Sequence, residues 1–172
     1  MKSPASVVGA IILLVGLVVL ALMWQRRMEG ALPVPIVCDS KLTAYQAALE
    51  YAKTLTEDEA EAGSLVVGIL GTGSMHPWLP KAPEGMDPRT TRVAFAVRRP
   101  GAAFEDIKDG DPVSYYADWL PPGSLGVLHQ AAKFQNGGWI MSGLNNAHYE
   151  SKWRVTKRNF IGIVDRVYIW RQ

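Results

Sequence analysis

The chain opens on an uninterrupted apolar run and then changes its grammar twice. Residues 7–24 contain only apolar side chains and glycine, and residues 3–25 carry no charge. As a helix, the 18-residue run is about 27 Å long, close to the hydrocarbon thickness of a bilayer. Trp24 closes it, where an indole favours the headgroup region. The sequence Trp24-Gln25-Arg26-Arg27 is a poor signal-peptidase cleavage site, so the expectation is a retained single-pass anchor over 1–30 in contact with membrane lipid through 7–24. The span has no GxxxG, the small-residue pattern that supports tight helix pairing.

Residues 31–63 read as a proline-bearing tether followed by a helix. Asp39 or Ser40 can cap it, and Leu42, Tyr45, Leu49 and Ala52 recur at helical spacing. Glu57, Asp58, Glu59 and Glu61 then predict a solvated helix end and loop. From 64 to 172 short apolar stretches alternate with Gly, Pro and Asn. Residues 64–70, 91–97, 112–116, 125–134, 138–143 and 160–170 predict strands, several rich in β-branched or aromatic side chains. Pro121-Pro122-Gly123 and Asn136-Gly137-Gly138 are turn signals, the second predicting a hairpin. Strands without alternating helices argue against a parallel α/β fold. The expected class is therefore mainly β with a short helical preface.

Composition narrows the chemistry. The 172 residues are 48% apolar with a formal net charge of +2, which excludes a disordered chain and gives no reason to expect a nucleic-acid partner. The single thiol, Cys38, can make no internal disulfide and reads as a small buried hydrophobe. His76, His129 and His148 have no compact metal-ligand spacing with Cys38, so neither a metal nor a cofactor is expected. Gly71-Thr72-Gly73 lacks the third glycine of a dinucleotide loop, and Ser74 does not sit in a GxSxG elbow. What remains is Ser74 on a glycine-flanked turn after an apolar strand. A serine becomes nucleophilic only beside a base, and acyl chemistry also needs donors for the oxyanion. The Thr72 hydroxyl and the Ser74 N–H are the candidate donor pair.

Gly73-Ser74-Met75-His76-Pro77 resembles the Ser-Met-x-Pro box of the type I signal peptidases and related self-cleaving repressors. Further boxes follow in the order of that family. They are Asp106 to Val113, Val127-Leu128-His129-Gln130, Gly138-Trp139 through Gly143-Leu144-Asn145-Asn146, and Asn159 to Val164. The resemblance is closest to the Ser-His branch. It implies an antiparallel barrel-like domain, with Ser74 as nucleophile, His129 as general base, and Thr72 with Ser74 as the oxyanion hole. Glu150 is the candidate orienting acid. The implied partner is a peptide or protein substrate with small side chains before the cleaved bond, met on the extracytoplasmic side of the membrane. Four residues depart from the pattern. Leu144 stands where an aspartate is expected, Tyr149-Glu150 where an acidic pair is expected, and Gln130 where an arginine usually follows the base. A non-catalytic, membrane-tethered assembly protein of the same fold is the competing expectation. The Ser74–His129 distance separates the two.

Overall fold

Residues 32–117, 126–146 and 150–171 are described by a computed structural model, the side chains of 150–153 excepted. The apolar run at 7–24 and the turn at Pro121-Pro122-Gly123 lie outside these residues. No helix among the described residues is long and apolar enough to cross a membrane.

Two helices and eight strands are described. They are β1 (Ile36–Cys38), α1 (Lys41–Leu55), α2 (Glu59–Leu65), β2 (Val66–Leu70), β3 (Arg92–Arg98), β4 (Pro112–Tyr115), β5 (Val127–Gln135), β6 (Gly138–Ser142), β7 (Glu150–Val155) and β8 (Phe160–Trp170). The strands form one curled half-barrel sheet, in the order β2-β3-β8-β4-β5-β6-β7. Every neighbouring pair along this path is antiparallel, whereas β1 lies parallel to the end of β8. The mainly β, antiparallel expectation is met. The long β8 makes the curl possible: Ile163 and residues before it pair with β4, and Val164 and residues after it pair with β3. Register shifts at Ile69/Leu70, Val97/Arg98, Ser114/Tyr115 and Ala131/Lys133 add local bends.

The hairpin signal is realised between β5 and β6. Asn136 (φ 52°) and Gly137 (φ 75°) both take the left-handed conformation that a tight two-residue connection requires.

The helical preface differs from its sequence reading. Ser40 caps α1, its hydroxyl accepting from the Thr43 N–H while Thr43 Oγ1 accepts from the Ser40 N–H. The buried face is Ala44, Ala48 and Ala52, the last of them in the predicted stripe, whereas Leu42 is 65% exposed and Tyr45 (41% exposed) flanks the seam with its ring edge-on to Phe95. Residues four apart share a helix face, and alanines let α1 approach Phe95 and Val97 of β3 and Tyr168 of β8. Close approach outweighed side-chain size. The acidic stretch is only half a loop: Glu57 and Asp58 connect the helices, while Glu59 and Glu61 begin α2. Asp58 caps α2, accepting from the Ala60 and Glu61 N–H groups, so Ser64 and Leu65 end a helix and β2 begins only at Val66. Part of the supposed tether is β1. With α1 packed on β3 and β8, Pro33–Gln172 forms one unit.

A second core lies under β4, β5, β6 and the first half of β8. Val113, Tyr115, Val127, Ala131, Met141, Val155 and Ile163 meet there with Phe104 and Ile107. Each large apolar side chain withdrawn from water contributes about 1.5–3 kcal/mol. This core fixes the β4–β5 register on which the site depends.

Candidate active site

The turn carrying Ser74 is built by close backbone approach. Beyond β2 the chain enters Gly71, where a Cβ would fall 2.5 Å from Val93 Cγ1 and 2.6 Å from the Ala82 nitrogen. No larger residue fits. The Gly71 N–H donates to Thr91 O (2.9 Å) and its carbonyl accepts from the Ala82 N–H (3.0 Å), closing the loop on itself. Gly73 has a φ of +80°, which turns the chain. Met75 and Leu79 then bury themselves, leaving Ser74 half-buried between a turn and an apolar plug.

A second segment holds the same turn. The Asn145 N–H donates to Ser74 O (2.8 Å), and Asn145 Nδ2 donates to Gly73 O (3.2 Å). Gly143 packs so close that a Cβ there would lie 2.7 Å from Ser74 O. The boxes at 73–77 and 143–146, far apart in sequence, are thus adjoining parts of one site.

His129 comes from β5. Its partner across the β4–β5 ladder is Val113, and Tyr115 pairs with Val127. Alternation puts Val113, Tyr115, Val127 and His129 on one face, with Tyr115 and His129 as diagonal neighbours within reach of long side chains. Ser74 Oγ lies 2.6 Å from His129 Nε2, and Tyr115 Oη lies 2.8 Å from His129 Nδ1. Thr72 Oγ1 is 3.2 Å from Ser74 Oγ. Both rings are buried, with His129 only 4% exposed. Thr72, Ser74 and His129 are therefore brought together. The Ser74 N–H has no acceptor among the described residues, which leaves it available to an incoming carbonyl oxygen.

The Glu150 side chain lies outside the described residues, as does His148; the Glu150 backbone pairs with Met141 on β6. Exposed Lys133 lies beyond the β5 register shift, opposite Ile140 and close to the hairpin turn. Gln130 is fully buried on the opposite face of β5, donating from Nε2 to Gly110 O at 3.2 Å. It braces the turn leading into β4.

A cavity of about 10 Å³ adjoins Ser74, lined by Ile69, Leu70, Met75, Leu79, Val127 and Leu128. Thr72 and Ser74 add polar atoms to its lining, and its volume is about that of a water molecule or a methyl group. A larger open groove of about 980 Å³ runs past Phe104, Phe134, Trp139 and Lys157. Its lining includes no serine, cysteine or histidine.

Sequence reasoning missed Tyr115. The alternation of residues 112–116 was visible, but the partner strand and its register were not, and without them nothing aims Tyr115 at His129.

Comparison with protein-family models, curated proteins and solved structures gives no match for this chain. The chemical reading rests on geometry.

Proposed function

We propose that this chain is a membrane-anchored serine endopeptidase of the signal-peptidase type, acting through Ser74 and His129. The supporting observation is the 2.6 Å Ser74 Oγ–His129 Nε2 contact between residues 55 apart in sequence. A serine and a buried imidazole within hydrogen-bond reach form a nucleophile and its base. The pairing, and the glycine-built turn that presents the hydroxyl, favour catalysis over a scaffold of the same fold.

In the reaction, Nε2 takes the Ser74 proton as Oγ adds to the scissile carbonyl. The Ser74 N–H, with the Thr72 hydroxyl turned toward the substrate, receives the developing oxyanion. The proton then passes from Nε2 to the leaving amine as the C–N bond breaks, and water releases the acyl group by the same route reversed. The small cavity beside Ser74 favours a small side chain before the cleaved bond. An apolar run at 7–24 would hold the domain beside the membrane, with substrates that are themselves membrane-associated or exported, on the extracytoplasmic side.

The test is peptide cleavage by the full-length protein in detergent micelles, using extended substrates with alanine before the scissile bond. Ser74→Ala should lower kcat/KM by at least about 10³-fold and change stability by less than ~1 kcal/mol. His129→Ala should match that kinetic loss, and Lys133→Ala should leave activity intact. Full activity in Ser74→Ala would remove the proposed nucleophile.

A further inference from the structure

Thr72, Ser74, His129 and Tyr115 form one continuous file of hydrogen-bonding atoms. It runs Thr72 Oγ1, Ser74 Oγ, His129 Nε2, across the ring to Nδ1, then Tyr115 Oη, with contacts of 3.2, 2.6 and 2.8 Å. A neutral imidazole donates through one nitrogen and accepts through the other, so the bond at one nitrogen fixes the role of its mate. The file therefore has two proton orders. In the first, Ser74 Oγ–H donates to Nε2 and Nδ1–H donates to Tyr115 Oη. In the second, Tyr115 Oη–H donates to Nδ1 and Nε2–H donates to Ser74 Oγ.

Only the first order leaves a lone pair at Nε2 to remove the serine proton. We infer that Tyr115 is the positioning residue of this site, accepting Nδ1–H and so holding His129 in the tautomer that acts as base. This rests on the peptidase reading for its kinetic consequence, though the proton order itself does not require a substrate.

The structure holds the Tyr115 hydroxyl at Nδ1 in two ways. Tyr115 is 2% exposed and belongs to the core with Val113, Val127 and Met141, so its hydroxyl is delivered by a packed ring and not by a mobile side chain. The Tyr115 and His129 ring centroids are 5.9 Å apart at an interplanar angle of 56°, which aims the phenol at the edge of the imidazole. During acyl transfer the Ser74 O–H bond breaks, the Oγ–C bond forms, and the imidazolium keeps Nδ1–H on Tyr115 Oη. The second proton leaves from Nε2 to the amine. Tyr115 neither gains nor loses a proton.

The test labels the histidines of the full-length protein with ¹⁵N, in micelles, at a pH where the rings are neutral. His129→Gln assigns the His129 resonances. The wild type should show a protonated Nδ1 and an unprotonated Nε2, and Tyr115→Phe should shift the population toward Nε2–H. Tyr115→Phe should also lower kcat about 100-fold with KM unchanged, short of the ~10⁴ loss that follows when a triad histidine is held in the wrong tautomer. A wild type that is mainly Nε2–H overturns the inference, as does a Tyr115→Phe variant with unchanged tautomer and kcat. The readings separate cleanly. An inactive wild type with Nδ1–H would remove the peptidase reading and keep the proton order, whereas an active one with Nε2–H would remove the proton order alone.

Discussion

The two halves of the sheet are stabilised by different means. Where α1 covers β3 and the end of β8, the core is three helix alanines against Phe95, Val97 and Tyr168. In the other half, β4, β5 and β6 bury the polar side chains of Ser114, His129, Gln130 and Ser142. Burying such groups costs free energy unless they are hydrogen-bonded, and a packed apolar strand would be the more stable choice. Both halves keep an apolar core. The buried polar groups among the described residues are concentrated in the half that carries His129.

That contrast breaks most readily at Gly143. Gly143→Ala would drive a Cβ into Ser74 O and displace the nucleophile turn. A misplacement of about 1 Å can cost roughly 10²-fold in rate, so kcat/KM should fall by about that factor while the protein remains folded. Activity equal to wild type would mean that the 143–146 segment does not hold the turn.

The helix side should respond in the opposite sense. Ala48→Leu inserts three carbons into a seam with no exposed surface, and overpacking of this kind costs about 1–3 kcal/mol. Urea unfolding should show that loss, while kcat per folded molecule stays within twofold or so. A change in kcat without a change in stability would couple the halves.

A smaller effect is expected at the contact between α1 and β8. Tyr51 Oη donates to Asp165 Oδ2 at 2.5 Å, and Arg166 lies over the Tyr51 ring. The hydrogen bond to Asp165, then burial, raises the Tyr51 pKa above its ordinary value. The folded state thus favours the protonated phenol. Its contribution is whole below about pH 10, the ordinary tyrosine value, and is lost as pH climbs through the raised folded value. Unfolding measured across that alkaline range should fall more steeply in wild type than in Tyr51→Phe. Parallel curves would show that the contact carries no linkage.

Much of the fold was legible because strands and turns leave local signatures. The stretch 160–170 coincides with β8, and Asn136-Gly137 marked its hairpin. The strands that escaped notice lack such signatures. β1 is three residues beside two prolines, and it is a strand because β8 offers it an edge. β7 reads Glu-Ser-Lys-Trp-Arg-Val, too polar to signal a strand, and it ends the sheet order, where charge discourages further pairing. On α1 the predicted stripe shares Ala52 with the buried face, but Ala44 and Ala48 centre that face, since the partner surface decides which side can approach. Ser74 and His129 were found through ordered short boxes. Their contact is made by tertiary structure that brings the turn after β2 against β5, and no local pattern encodes it.

The most direct measurement is covalent. Full-length protein is mixed with a nitrophenyl ester of a short peptide ending in alanine, quenched in acid and analysed by mass spectrometry. Wild type should release a burst of nitrophenol and carry one acyl group on the tryptic peptide containing Ser74. His129→Ala should form that adduct at least about 10³-fold more slowly, and Ser74→Ala should not form it. An adduct on another residue, or equal acylation rates in wild type and His129→Ala, would contradict a Ser74–His129 nucleophile and base.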